Sequence, residues 1–428
     1  MKLFWRVAFL LCLGIAILIL SWYRSTYAGQ KLKSPLVERS ANSLDMVSAE
    51  QGEVLQKINH RLAAMDKDLL EDEVDDNGMH PWDVWHNMVS ERSLTVPDQK
   101  QVNKILQKMK HAKIISAKNG YKGTQLKALL FLDGPSQQAV VFKPGRYKRD
   151  HVITGKPYDG YDRHNGEIAA FHLDRILGFN RAPPVVGRKI DLQKDVMPVA
   201  EKKILDTFFT NAEGNTCFYG ACYYCKKSDP ACGDGSIMEG SLTLWLPDKW
   251  KVKKQRHPWQ RTYKDNKKAK WETDNSYCEG VMEHEPYKSG PRLLDIADTA
   301  LFDFMIGNAD RHHYEYLGNT GPNNGMLIHL DNAKSFGNPY TDEMSILAPI
   351  YQCCRFRKST YLRFKTLYSD DKRLASKLEA AMQGDPLAPI LTSAHLKAVD
   401  RRFSKIIQLL DGCLSKDGEE KVLQPDRF

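Results

Sequence analysis

The sequence predicts an α+β protein with a small strand-rich N-terminal lobe, a larger helical C-terminal lobe and disulfide staples. Three observations carry that reading. Short apolar strands cluster between Leu126 and Lys143, amphipathic helices dominate after Arg292, and eight of the nine cysteines lie beyond an apolar N-terminal run. No internal repeat or low-complexity tract interrupts the pattern.

The 428 residues allow one large domain or two modest ones. A hydrophobic fraction of 42% is ordinary for a globular chain, and the net charge of +9 is a mild excess. That excess suits an anionic partner such as a nucleotide or an acidic glycan without identifying either. A nucleic-acid partner is not expected, because no recognised binding module is present.

Residues 1–6 read as a short cytoplasmic tail, and Val7 to Tyr23 as an uncharged, mostly apolar span. At about 1.5 Å per residue that span reaches roughly 25 Å, enough for a thin early-secretory bilayer. A cleaved signal peptide ending near Thr26-Tyr27-Ala28 is the competing reading. The run exceeds a usual signal-peptide core, which favours an uncleaved signal anchor. Residues 24–95 are polar, with an acidic stretch from Asp66 to Asp76, and read as a luminal stem whose Trp82 and Trp85 dock onto the domain. The domain itself is expected over 96–420, with the lobes meeting near residue 240.

Within the domain, Asp98 caps a helix expected to run to about Lys118. Strands follow at Leu126–Asp133 and Ala139–Lys143, separated by Gly134-Pro135-Ser136. Ile168, Ala169, Phe171, Leu173 and Ile176 give Asn165–Leu177 a helical apolar face, and Gly178 stops it. The segment Cys217–Cys232 reads as loop and Ser241–Leu246 as a short buried strand. A helix at Arg292–Met305, a strand at Met326–Leu330 and helices within 357–383 and 394–414 complete the domain.

Cys217, Cys222, Cys225, Cys232, Cys278, Cys353, Cys354 and Cys413 form an even set, which points to a four-disulfide luminal domain. A four-cysteine zinc knuckle at 217–232 is the alternative, and it fits an oxidising compartment poorly. No Asn-X-Ser/Thr sequon adds to the case for the lumen.

Phosphoryl transfer needs few parts: backbone and a lysine around the phosphates, carboxylates for a metal, and an aspartate to orient the attacking hydroxyl. Candidates occur here in the chain order of a protein-kinase-like fold. Gly120-Tyr121-Lys122-Gly123-Thr124-Gln125-Leu126-Lys127 is a glycine-containing turn entering a strand, though a plain loop would look the same. Lys143 ends the apolar strand Val140-Val141-Phe142, and Glu167 near the start of a helix could pair with it. Asp310, in Asn308-Ala309-Asp310-Arg311-His312-His313-Tyr314-Glu315, follows an apolar helix. Asp331 follows an apolar strand. Ordinary kinases place an asparagine where Glu315 stands, and Asp331-Asn332-Ala333 replaces D-F-G. These departures exclude a standard cytosolic kinase. A zinc hydrolase built on His312 and His313 lacks the H-E-x-x-H spacing. The stretch Lys249–Trp271 interleaves basic residues with Trp250, Trp259, Tyr263 and Trp271. It could grip an acidic glycan, or be a solvated excursion whose tryptophans are buried.

Five strings resemble the secretory-pathway kinases of the family with sequence similarity twenty. They are Gly-Thr-Gln-Leu-Lys at 123–127, the run from Tyr161 to Leu177, Cys-Phe-Tyr-Gly at 217–220, the run from Gly307 to Glu315, and Tyr-Gln-Cys-Cys at 351–354. The resemblance covers about Gly120 to Cys413. Lys156–Asp162 and Leu330–Pro339 are most similar to the glycan-directed members of that family.

This resemblance implies an atypical, bilobal kinase-like fold in the Golgi lumen on a single-pass type II anchor, with ATP and Mn2+ (or Mg2+) as cofactors. It implies that Gln125 and Lys143 contact the phosphates, that Glu167 and Asp331 hold the metal, and that Thr243, Leu244, Trp245 and Leu246 face the adenine. Asp310 is then the catalytic acid/base residue, and Glu315 touches the nucleotide. The implied disulfides are Cys217–Cys232, Cys222–Cys225, Cys278–Cys353 and Cys354–Cys413. The implied reaction moves the γ-phosphate of ATP to the 2-hydroxyl of xylose in the galactose-xylose-Ser linkage of proteoglycans, with family members or glycosyltransferases as partners. The alternatives are a luminal Ser/Thr protein kinase, a non-catalytic scaffold that activates a sister kinase, and a glycan-binding module built on 249–271.

Overall fold

The structure, a computed structural model, describes residues 78–120, 123–318 and 325–426. The chain divides at residue 73 into two units, and every described residue belongs to the second. The expected anchor at 7–23 and most of the expected stem lie outside the described residues. Among the described residues no helix is long and apolar enough to cross a membrane.

The end of the expected stem is built into the fold. His80 caps helix α1 (Pro81–Met88), its ring accepting from the Trp82 backbone N–H at 3.2 Å. Trp82 and Trp85 on α1 are fully buried. Their indole N–H groups donate to the carbonyls of Asp133 (3.1 Å) and Trp245 (3.0 Å). An indole is buried at little cost only when its N–H finds such a partner.

Helix α2 (Gln99–His111) starts at the expected cap, where Asp98 accepts from Lys100 N–H at 2.9 Å, but it stops short of Lys118. Its helically spaced apolar residues, Val102, Ile105, Leu106 and Met109, run out in its last turn. The β-branched pair Ile114-Ile115 opens an extended segment instead. This is strand β1 (Ile114–Asn119), antiparallel to β2 (Ala128–Leu132). Next come β3 (Gln138–Pro144), helix α3 (His164–Ile176) and β4 (Val185–Asp191), a strand absent from the expectations.

The cysteine-rich segment is not all loop. The strands β5 (Phe208–Thr210), β6 (Thr216–Phe218) and β7 (Ala231–Cys232) form a small sheet within and just before it. Strand β8 (Ile237–Leu244) then enters the main sheet between β3 and β4. The result is a five-stranded antiparallel sheet of order β1-β2-β3-β8-β4. Helix α3 packs against β4 and β8. The N-terminal lobe therefore extends through Leu244, past the expected division at 240.

The larger lobe is organised on helix α4 (Arg292–Ile306), all of whose residues are buried. The helices α5 (Lys358–Ser369) and α6 (Leu374–Met382) pack against α7 (Ser393–Asp417), which in turn packs against α4. Beside α4 lies a small antiparallel sheet of β9 (Val252–Arg256), β10 (His313–Leu317) and β11 (Leu327–Ile328), with β10 central. Disulfides join Cys217–Cys232, Cys222–Cys225, Cys278–Cys353 and Cys354–Cys413. The sulfurs of 217–232 are thus in covalent bonds, which removes the zinc knuckle.

If α1 is part of the core, Trp85→Ala should lower stability by about 3–5 kcal/mol, the usual cost of emptying a buried tryptophan site. Urea unfolding of the two proteins measures this, and an unchanged midpoint would make residues 80–95 a spacer.

Candidate active site

A cleft of about 750 Å3 lies between the lobes. Strand β3 carries Lys143 to its floor, where the side chain is buried. The Lys143 ammonium is 2.7 Å from Glu167 Oε1, 2.5 Å from Asp331 Oδ1 and 3.0 Å from Asp162 Oδ2. Glu167 sits in the first turn of α3, where the helix dipole favours a carboxylate. Helix α3 can come this close to the Asp331 loop because residue 166 is glycine. A Cβ there would stand 2.7 Å from Ser335 Oγ.

Burial works against the charge on Lys143, but Asp162, Asp331 and Glu167 outweigh it and hold the amine well above its ordinary pKa. Lys143 in turn holds the Asp331 carboxyl below the usual carboxylate range. Three carboxylates meet one ammonium here, which leaves an excess of negative charge and hard oxygen donors. Glu167 and Asp331 therefore fit a divalent cation such as Mn2+ or Mg2+ whose remaining ligands come from phosphate and water. Among the described residues no group of three or more His, Cys, Asp or Glu forms a protein-only metal cage. Asp162 was not among the expected site residues. Its position one residue after Tyr161 in the family-like run 161–177 was the available signal.

Gln125, Thr243, Leu244, Trp245, Leu246 and Glu315 all line the same cleft. The Trp245 carbonyl accepts from Trp85 Nε1 (3.0 Å) and Gln138 Nε2 (3.2 Å). Thr243 Oγ1 is buried without a hydrogen-bond partner among the described residues, so it is a polar atom that a ligand's edge could satisfy. Glu315, on β10, has its carboxyl pushed up by burial against the pull of Arg311. Lys254 stands 3.7 Å from it.

Asp310 is set by the end of α4. Gly307 closes that helix in the left-handed region at φ 71°, and Asn308 N–H then donates to the Asp303 carbonyl at 2.8 Å. Asn308 Oδ1 accepts from the Asp310 backbone N–H at 3.1 Å, and the Asp310 carbonyl accepts from His312 N–H at 2.8 Å. Arg311 anchors the loop, with Nε and Nη2 each 2.7 Å from an oxygen of Asp303. The same guanidinium donates to the Leu330 carbonyl and, at 2.8 Å, to Asn332 Oδ1. The loops bearing Asp310 and Asp331 are thereby tied to one buried charge.

The basic-aromatic stretch divides. Trp259 and Trp271 are buried in a second hydrophobic cluster with Tyr314 and Leu327, so they are core residues and do not form a sugar-gripping face. Tyr263 instead reaches the Asp310 loop, its hydroxyl donating to Asp310 Oδ1 at 2.6 Å. Sequence reasoning named this tyrosine only as one of several aromatics.

The lobes, the Lys143–Glu167 pair and the two aspartate loops define a protein-kinase-like phosphotransferase site. A family model described as "Golgi casein kinase, C-terminal, Fam20" matches residues 80–422. The chain belongs to the Fam20 kinase family. It is 51% identical over 388 residues to the human glycosaminoglycan xylosylkinase, covering 90% of this chain and 93% of that protein. The human extracellular serine/threonine protein kinase FAM20C is 40% identical over 351 residues, 81% of this chain and 60% of its own length. Among solved structures, hydra Fam20 with sugar matches at a TM-score of 0.80 and 56% identity, covering 82% of this chain and 99% of that one. The Golgi casein kinase with Mn/ADP bound matches at 0.76 and 34%, covering 83% and 86%.

Arg311→Ala should cost about 3–5 kcal/mol in denaturant unfolding, because Asp303 is left buried and unpaired. The double variant Asp303→Asn, Arg311→Met should recover much of that loss. Two single losses that simply add would show that the pair is not coupled.

Proposed function

We propose that this chain is an ATP-dependent glycosaminoglycan xylosylkinase. It moves the γ-phosphate of ATP to the 2-hydroxyl of xylose in the galactose-xylose-Ser linkage of proteoglycans. The observation that carries this reading is the 51% identity with the human xylosylkinase across 90% of the chain. The likeness to hydra Fam20, solved with sugar, supports a sugar acceptor. FAM20C, a protein kinase, shares only 40%.

In this reading Gln125 and Lys143 hold the phosphates, the residues 243–246 face the adenine, and Glu315 touches the nucleotide. Glu167 and Asp331 hold Mn2+, which when bound shields the phosphate charge. Asp310 accepts a hydrogen bond from the acceptor hydroxyl. As that oxygen bonds to the γ-phosphorus, the bond from phosphorus to the β–γ bridging oxygen breaks and ADP leaves. The acceptor proton passes to the Asp310 carboxylate. Lys143 offsets charge that develops on the leaving phosphate. The four disulfides support a luminal site of action. A Golgi membrane location through an anchor at 7–23, followed by a stem, completes the proposal.

The full chain, incubated with labelled ATP, Mn2+ and either a galactose-xylose acceptor or an acidic peptide, should label the sugar. Asp310→Ala and Asp331→Ala should each reduce labelling about 100- to 1,000-fold, on the order seen when charge-stabilising groups are removed, with thermal midpoints little changed. Labelling of the peptide alone would make the chain a protein kinase, and no labelling at all would favour the scaffold or the glycan-binding reading.

A further inference from the structure

Asp310 has a fixed backbone, but a carboxylate on a fixed backbone can still rotate about its side-chain bonds. In this structure its orientation is set by Tyr263 from outside the catalytic loop and by His312 within it. The Tyr263 hydroxyl donates to Oδ1 at 2.6 Å, and His312 Nδ1 lies 3.6 Å from the same oxygen. The His312 ring is already engaged with the Asp310 carbonyl, 2.8 Å from Nδ1. Both contacts converge on Oδ1, and among the described residues no hydrogen bond or ion pair falls on Oδ2, the oxygen left for an incoming hydroxyl.

The tyrosine is held in place at some cost. Its φ is 57°, a conformation that a bulky L-residue rarely adopts and that persists only where the surroundings impose it. Those surroundings are specific. Thr262 Oγ1 donates to the Lys267 carbonyl and accepts from Lys264 N–H at 3.3 Å, which closes the loop around residue 263. Arg261 is bonded to Ser345 Oγ and lies 5.9 Å from the Trp271 ring centroid, which roots the loop in the core. From the far side Tyr158 packs edge-on against Tyr263, with centroids 4.6 Å apart, and Lys156 pairs with Asp265. Burial and Asp310 together keep the phenol protonated, so it remains a donor.

We infer that Tyr263 is a positioning residue: by fixing Oδ1 of Asp310 it presents Oδ2 to a single hydroxyl of the acceptor, and so sets which hydroxyl is phosphorylated. A pyranose carries neighbouring hydroxyls of similar reactivity, so a carboxylate free to turn could deprotonate more than one. The inference rests on the sugar-acceptor reading above. Neither the loop at 156–160 nor the one at 261–268 belongs to the phosphate and metal machinery. The choice of hydroxyl is therefore separable from nucleotide binding.

Tyr263→Phe keeps the ring and its contact with Tyr158 and removes only the hydroxyl. In the full chain, with ATP, Mn2+ and a galactose-xylose acceptor, kcat should fall about 10- to 100-fold, the value of a hydrogen bond to a charged group. The Kd for nucleotide and the thermal midpoint should stay as in wild type. NMR of the product should show phosphate on more than one xylose hydroxyl, a result that a purely structural role would not produce. A single regioisomer made at the wild-type rate overturns the inference, as does a loss confined to acceptor KM or to thermal stability. A wild-type protein that labels only peptide overturns the sugar-acceptor reading and the regiochemical part with it. The effect of Tyr263→Phe on kcat toward that peptide would still decide the positioning role.

Discussion

The guanidinium of Arg311 is the point on which the site depends. Its two bonds to Asp303 fasten the loop after α4 to α4 itself, and its bonds to Leu330 and Asn332 fasten the second acidic loop to the first. Both partners are buried, so the pair is desolvated and gains little in stability over an apolar pair of the same shape. What the planar, multidentate arginine supplies is geometry: a fork with five donors can register three separate segments at once, and a lysine could not. Asp310 and Asp331 stand where they do because both are neighbours of residues that this one group holds.

The second constraint is charge balance around Lys143. An ammonium among three carboxylates is strongly bound, yet the cluster as a whole remains anionic. That is the right polarity for a cation and the wrong one for a bare triphosphate. Lys127, Arg311 and Lys334 line the same cleft and offset part of that charge, so cations and acids are interleaved where a metal-bound nucleotide would lie. The lobes contribute unequally to this balance: β3 brings the cation, while α3 and the loop after β11 bring acids.

Much of this was legible in the sequence because it is local. The strand ending in Lys143, the helix opening near Glu167 and the loop at 307–315 each carry their own periodicity and stop signals. What was hidden depends on distant pairing. Strand β4 reads Val185-Val186-Gly187-Arg188, too short a pattern to separate from loop without β8 beside it. The expected helix at 98–118 is too long because Ile114-Ile115 is a weak local signal on its own, and pairing with β2 is what completes Ile114–Asn119 as a strand. Asp162 and Tyr263 were obscured because their partners, Lys143 and Asp310, lie 19 and 47 positions away. No spacing rule connects a loop tyrosine to an aspartate on another element. Trp259 and Trp271 misled by composition alone, since indoles among lysines read the same whether they face water or a core.

The adjacent cysteines 353 and 354 pull the chain in two directions, one to Cys278 and the other to Cys413 on α7. Exchanging the two partners would alter each closed loop by a single residue, out of separations of 75 and 59. Loop entropy varies only with the logarithm of length, so the chain gains almost nothing by choosing one pairing over the other. The choice falls to conformation: Cys354 caps its helix in the left-handed region, at φ 44°, while Cys353 is still helical. The observed pairing is therefore the one that fits this helix end and the position of α7. A single turn of backbone decides which of two neighbouring sulfurs is joined to which distant segment of the larger lobe.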